Sequence, residues 1–212
     1  MPDYFAHPFC SNSGLTKLGR TLGIFPEIDI DTYNAYRLGS LFDAVVTEPE
    51  KIDLIQNRIF DTDYTFTPVE YENSRLMYKA LQEDKLYQDF IRCQPELQKE
   101  LYQPSFQFEY EGFSFALDVK AKLDFFVPGI VSDLKSTFAA TKKQFESAFV
   151  QFSYPRQMVL YCRLTCTKKA IVFGVSKVNR KVFLITMQEG DRLWKIGERE
   201  LNYLAFKYYM TK

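Results

Sequence analysis

The order of patterned segments predicts a mixed α/β fold. Three observations carry it. Helical periodicity covers Asp31 to Val46 and resumes at Pro68. Two stretches rich in aromatic and apolar residues, Phe106–Leu117 and Leu123–Lys135, then carry turn signals at Glu111-Gly112 and Pro128-Gly129. A further helical segment from Phe138 to near Arg163 precedes two more apolar strands and a last helix. At 212 residues the chain reads as one domain spanning 1–212, long enough to bury a sizeable core.

Composition narrows the function classes. Hydrophobic residues make up 46% and charged residues 25%, which excludes a disordered chain. The 20 Phe and 14 Tyr imply a bulky core. A formal net charge of 0 argues against a generally basic nucleic-acid-binding coat and leaves room for a local basic cleft. The four cysteines form no CxxC pair, so zinc and iron–sulfur centres are not expected and reduced intracellular thiols are. No signal peptide or membrane-length apolar run is present, which predicts a cytoplasmic protein away from membranes.

In chain order, Ser11, Asn12 or Ser13 is placed to cap a short first helix, either as plain capping or as a phosphate-binding helix N-terminus. His7, the lone histidine, reads as part of a flexible start. Within Asp31–Val46 the apolar residues Leu38, Leu41, Phe42, Val45 and Val46 cover much of the helix, with Asp43 among them and Gly39 one turn earlier. A buried carboxylate must be paired, metal-bound or at a cleft, unless it points to solvent near the helix end. Asp61-Thr62-Asp63 reads as a turn. Pro68 to Tyr102 is rich in helix formers, with Gln94-Pro95 predicted to divide it into two helices. Ser136 and Thr137 are candidate caps for the helical segment that Pro155 interrupts, and Gln157 and Tyr161 stand one turn apart on its second half. Ala170–Ser176 and Lys181–Met187 flank a turn at Val178-Asn179-Arg180. Asp191 caps the helix Arg192–Met210.

The stretch Leu123-Asp-Phe-Phe-Val-Pro-Gly-Ile-Val-Ser-Asp-Leu-Lys135 holds the strongest candidate site. With Pro128-Gly129 at the centre of a hairpin, Val127 pairs with Ile130 and Asp124 faces Asp133. Lys135 then lies on the same face as Asp133. Facing carboxylates repel, so a cation between them is expected. A divalent metal would serve, with the Lys135 ammonium beside it to orient or activate a water. A cross-strand ladder of Asp124, Asp133, Lys122 and Lys135 would equally satisfy the charges without metal. Acid-x-Lys also occurs at Glu83–Lys85 and Asp118–Lys120, but only Asp133-Leu134-Lys135 ends a hairpin opposite an acid.

These residues, with Ser-Asn-Ser-Gly-Leu-Thr-Lys-Leu18, Leu38–Asp43 and Tyr154–Tyr161, resemble the PD-(D/E)XK nuclease superfamily. The resemblance is to its RecB-like branch, which includes lambda exonuclease and exonuclease VIII. It implies a restriction-endonuclease-like core, a central mixed β-sheet with a site-bearing hairpin and flanking helices. It implies further that Asp124 and Asp133 hold Mg²⁺ or Mn²⁺, that Leu134 adds its backbone carbonyl, and that Asp43 ligates directly or through water. Asp43 stands where the family has His or Glu. Asp124, Asp133, Lys135 and Gln157 would be catalytic, Lys135 acting on the attacking water and Gln157 orienting Lys135 or the DNA backbone. Ser11, Ser13 and Tyr161 would contact nucleic acid, although Tyr161 also suits simple packing. The implied activity is a metal-dependent DNA nuclease, foremost a phage or prophage recombination 5′–3′ exonuclease. Its implied partners are DNA, a single-strand annealing protein and further copies of the chain in a trimer or tetramer. A repair or restriction-type endonuclease and a catalytically silent nucleic-acid- or protein-binding module are the other readings.

Overall fold

Five strands form one mixed sheet in the order β3-β4-β5-β6-β7. They are β3 Glu96–Tyr110, β4 Phe113–Val127, β5 Ile130–Thr137, β6 Lys169–Ser176 and β7 Val182–Gln188. The computed structural model describes residues 4–25 and 31–212. Among the described residues seven α-helices accompany the sheet: α1 Asn12–Thr21, α2 Thr32–Thr47, α3 Pro68–Glu83, α4 Lys85–Ile91, α5 Lys142–Gln151, α6 Tyr154–Leu164 and α7 Arg192–Tyr209. A two-stranded ribbon, β1 Ile52–Asp53 with β2 Arg58–Ile59, sits between α2 and α3. Neighbouring strands are antiparallel except β5 and β6, which are parallel. A parallel pair needs a long crossover, and α5 with α6 supplies it. This is the mixed α/β architecture the segment order predicts, consistent with a restriction-endonuclease-like core. Among the described residues no helix is long and apolar enough to cross a membrane.

The turns follow residue chemistry. Glu111 and Gly112 both adopt positive φ between the paired Tyr110 and Phe113, as a tight two-residue hairpin requires. Asp31, Thr67, Asp84, Thr141 and Asp191 each cap a helix by accepting a backbone N–H through the side chain.

Two expectations are corrected. Residues 96–102 form the start of β3, and the preceding helices divide at Asp84 rather than at Gln94-Pro95. Pairing with Leu123–Phe126 overrides the helix-forming composition there, and an edge strand tolerates its Glu and Lys side chains. The helix after β5 is capped by Thr141, because Ser136 and Thr137 still pair with Val175 and Ser176 in the sheet. His7 is also held more firmly than a flexible start implies, its ring packing on Phe9 and Tyr102.

The core lies on both faces of the sheet. Phe145, Phe149, Met158, Leu160, Leu201 and Leu204 of α5–α7 cover one face. Phe42, Met77, Leu81 and Phe90 of α2–α4 cover the other. Along β4 the alternation slips at one point. Leu117, Val119, Ala121 and Leu123 join the first core, but Phe125 joins the second. The residue between Leu123 and Phe125 is Asp124.

Candidate active site

The β4–β5 turn sets the geometry. Proline at the first central position and a positive φ at the second suit a type II turn, and Gly129 has φ +89°. Val127 pairs with Ile130, Phe126 with Val131 and Phe125 with Ser132, the register counted from the sequence. The ladder stops there. One step further, where Asp124 and Asp133 would pair, β5 leaves β4 and pairs with β6 alone. The Leu134 N–H, which would otherwise lack a strand partner, donates to Asp124 Oδ2 at 2.8 Å. Because the N–H and C=O of one strand residue leave on the same side, the Leu134 carbonyl also faces Asp124.

Asp133 is 1% exposed. Its Oδ1 accepts from Gln157 Nε2 at 3.2 Å, and Lys135 Nζ forms an ion pair with Oδ2. Lys135 is thus the partner of Oδ2, and Gln157 the partner of Oδ1. Gln157 also donates to the Tyr161 hydroxyl at 2.8 Å. Their i,i+4 spacing stacks the two side chains on one face of α6. Tyr161 is 6% exposed, and burial, then Asp133 and Asp124, push its hydroxyl well above the usual range. It fixes Gln157 from the interior.

Asp43 enters from α2 on the side left open by Gly39, where an added Cβ would meet no atom within 4 Å. Its carboxylate is held by a residue that sequence reasoning missed. Gln98 Nε2 lies 3.3 Å from each Asp43 oxygen and donates to Thr47 Oγ1 at 2.8 Å. Gln98 adopts φ +50°, a left-handed conformation uncommon outside glycine, between the paired residues Leu97 and Lys99. The kink aims its side chain across the sheet edge, opposite the slip at Asp124. Sequence offers no signal for it, since the segment reads as helix and glutamine has no preference for this backbone. Thr47 was legible only as the i+4 neighbour of Asp43. Glu48 and Lys122 were also missed as a cleft ion pair, 3.4 Å apart.

The electrostatics follow from this crowding. Burial first, then the charges of Asp133 and Glu48, push the Asp43 carboxyl up to about 6 against the opposing pull of Lys135 and Lys122. Burial, then Asp43 and Asp133, raise Asp124 well above the usual carboxylate range. For Lys135, burial works against the charge, but Asp133 and Asp124 outweigh it and hold the ammonium above its ordinary range. Tyr154 presents its ring 5.1 Å from Lys135 Nζ.

A cleft of about 270 Å³ is lined by Asp43, Asp124, Gln157 and Tyr161 with Ser11 and Ser13 beside them, and Asp133 joins it through its hydrogen bond from Gln157. Ser11 Oγ accepts from Gly14 N–H at 3.2 Å as the α1 cap and shares a 2.9 Å hydrogen bond with Ser13 Oγ. Arg156, fully buried, binds Asn12 and Thr16 of α1 and Glu200 of α7. It thereby fixes the start of α1 beside α6. Gly197 lets α7 approach the other side, since an added Cβ would sit 2.4 Å from the Pro155 carbonyl. The predicted site residues are therefore gathered in one region. Among the described residues, however, no three His, Cys, Asp or Glu side chains converge closely enough to form a metal-ligand group.

No family model matches the chain, and no curated protein matches it. Among solved structures it is similar to a phage related exonuclease from Haemophilus somnus 129PT. The identity is 14% over 98% of this chain and 96% of that one, with a TM-score of 0.42. It is also similar to SSO0001, at 14% identity over 69% of this chain, with a TM-score of 0.41. The chain spans 62% of the length of SSO0001. Likenesses this distant carry no argument about chemistry, which rests on the cleft itself.

Proposed function

We propose that this chain is a metal-dependent deoxyribonuclease that hydrolyses DNA phosphodiester bonds, acting from ends as a 5′–3′ exonuclease of the phage or prophage recombination type. The observation that carries the reading is the break in the β4–β5 ladder. It leaves Asp124 bonded to the Leu134 main chain at a cleft that Asp43 and Gln157 also line, with Asp133 tied to that cleft through Gln157 and paired with Lys135.

The donor set fits a hard cation. Asp124 and Asp133 offer carboxylate oxygens and Leu134 a carbonyl, with Asp133 Oδ2 already facing the Lys135 ammonium. Mg²⁺ or Mn²⁺ needs only one or two carboxylates when waters and substrate phosphate complete its shell, so the lack of a three-acid cluster does not exclude it. Asp43 would join through water. Bound there, the cation would polarise the scissile phosphate and stabilise the leaving oxygen.

The protein's own groups do the rest. Lys135, held as an ammonium by Asp133 and Asp124, would position the attacking water and offset charge developing on the phosphate. Gln157 fixes the Asp133 carboxylate through Oδ1 and is itself fixed by Tyr161. Gln98 orients Asp43. DNA is the substrate, and an annealing partner and a ring of three or four copies belong to the same proposal. The ion pair of Lys135 with Asp133 is also what an inert charge ladder would contain, so a silent binding module is the reading to test against.

Linear and covalently closed duplex DNA are incubated with Mg²⁺ or Mn²⁺ and either the wild type or Lys135→Ala. Loss of linear DNA alone, reduced at least about a hundredfold by the substitution, is expected. Cleavage of closed circles replaces the exonuclease with an endonuclease. No cleavage with either metal leaves the carboxylates as a structural ladder.

A further inference from the structure

The chain is neutral overall, but its cations are not evenly spread. Lys142 and Lys143 open α5, and Lys177, Arg180 and Lys181 lie in or beside the β6–β7 turn. The two segments are joined, since Lys177 N–H donates to the Thr137 carbonyl at 2.7 Å and Asn179 Nδ2 to the Ala140 carbonyl at 2.9 Å. Residues 138–146 and 177–181 together carry five Lys or Arg and one acid, Glu146. Among the described residues none of the five cations forms an ion pair.

Two features oppose folding stability and point outward to a ligand. Lys142 and Lys143 occupy the first turn of α5, where the helix dipole disfavours cations, and no acid accompanies them. Lys177 is half-buried without a counter-charge, and burial lowers its ammonium to about 8. Its Nζ lies 4.8 Å from the centroid of the Phe138 ring, which is itself 68% exposed. An exposed aromatic ring with Lys177 beside it, and further unpaired cations on the two joined segments, match the way proteins hold unpaired nucleic acid, with phosphates on the cations and a base on the ring.

Phe138 directly follows β5, the strand that carries Asp133 and Lys135. Phe138 is three residues beyond Lys135, roughly 10 Å along an extended chain. That corresponds to about three nucleotides at the rise of one strand.

We infer that the surface made by Phe138, Lys142, Lys143, Lys177, Arg180 and Lys181 is a binding site for single-stranded nucleic acid, holding the strand about three nucleotides from the acid cleft. The inference rests on the nuclease reading for its direction but is tested without cleavage. Lys142, Lys143 and Arg180 are exposed, so their replacement leaves the core untouched.

The probes are a fluorescent oligothymidylate and a duplex of equal length. Both are titrated in EDTA with wild type, Phe138→Ala and the triple variant Lys142→Ala/Lys143→Ala/Arg180→Ala, and thermal melting confirms that each is folded. For the triple variant, the slope of log affinity against log salt should flatten by about 2, at ~0.7 for each single-strand phosphate left without its cation. Phe138→Ala should weaken the single strand about tenfold through lost stacking and the duplex much less. An unchanged slope and affinity in the triple variant overturns the site, as does equal loss for both probes with Phe138→Ala. A wild type that cleaves DNA while either result holds keeps the nuclease reading and loses this one. A wild type that binds the oligonucleotide through this patch but cleaves nothing does the reverse.

Discussion

Gln98 gives the sharpest test of how the cleft is built, because its backbone and its side chain make separate demands. The side chain holds Asp43 and Thr47, and the backbone sits at φ +50° in a strand. Gln98→Ala removes the side-chain bonds and keeps the backbone penalty. Gln98→Gly removes the same bonds and relieves that penalty. A left-handed conformation costs a non-glycine residue about 1 kcal/mol. The missing hydrogen bonds to a charged group cost both variants alike, about 1–2 kcal/mol at a half-buried position. The glycine variant should therefore melt above the alanine variant by roughly 2–4 °C, the shift that 1 kcal/mol produces in a domain of this size. Differential scanning calorimetry in EDTA reads that difference directly. On DNA the order does not follow stability. Both variants lose the Asp43 clamp, so both should lose nuclease activity to the same degree despite their different melting points. An alanine variant as stable as the glycine variant would refute the strained backbone. Wild-type turnover in both would refute a role for Gln98 in holding Asp43.

Two further outcomes follow from the same geometry. Asp43 titrates higher in the folded chain than the ordinary carboxylate value of 3.8, at about 6, so the folded state binds its proton more tightly and loses stability as pH rises through that window. Asp43→Asn should match the wild type near pH 4 and exceed it above pH 6, by at most about 3 kcal/mol at ~1.4 kcal/mol per pH unit; chemical denaturation in EDTA from about pH 4 to about pH 8 measures this, and a pH-independent difference would contradict it. Gly129→Ala forces a Cβ onto φ +89° and should lower the melting temperature by a few degrees, about 1 kcal/mol. A variant with unchanged melting would show that the turn can reach the same register another way.

What could be read from the sequence was local. The hairpin register followed from Pro128-Gly129 because a turn dictates the pairing of its neighbours, and the Gly39–Asp43 and Gln157–Tyr161 relations followed from one helical turn. Asp191 announced its helix by cap chemistry. Illegible were relations fixed only by the tertiary fold. Gln98 reaches Asp43 across 55 residues, from a segment whose Glu, Gln, Lys and Leu content favours a helix until it pairs with β4. The departure of β5 from β4 at Asp124 depends on β6, beyond two intervening helices, offering a parallel partner. Lys120 read as an ordinary strand residue because its acceptors, the carbonyls of Tyr4 and His7, lie at the far end of the chain.

The balance of charge in the cleft separates an active centre from a ladder better than any motif does. A ladder that exists to stabilise a sheet should give each buried acid a cation, because an unpaired buried charge is costly. Here Lys135 pairs with Asp133 and Lys122 with Glu48. Among the described residues neither Asp124 nor Asp43 forms an ion pair: Asp124 accepts from a backbone N–H and Asp43 from the neutral Gln98 and Thr47, and the pull of Lys135 and Lys122 is outweighed. Both acids are accordingly driven toward the protonated form by burial and by their neighbours. The fold uses a left-handed glutamine and an interrupted strand ladder to keep these two carboxylates close to Asp133, where they are least comfortable. Crowding three acids in this way works against the stability of the folded chain. It makes sense if the cleft exists to concentrate negative charge for a divalent cation and a phosphate, with Lys135 held beside them as the fixed positive group.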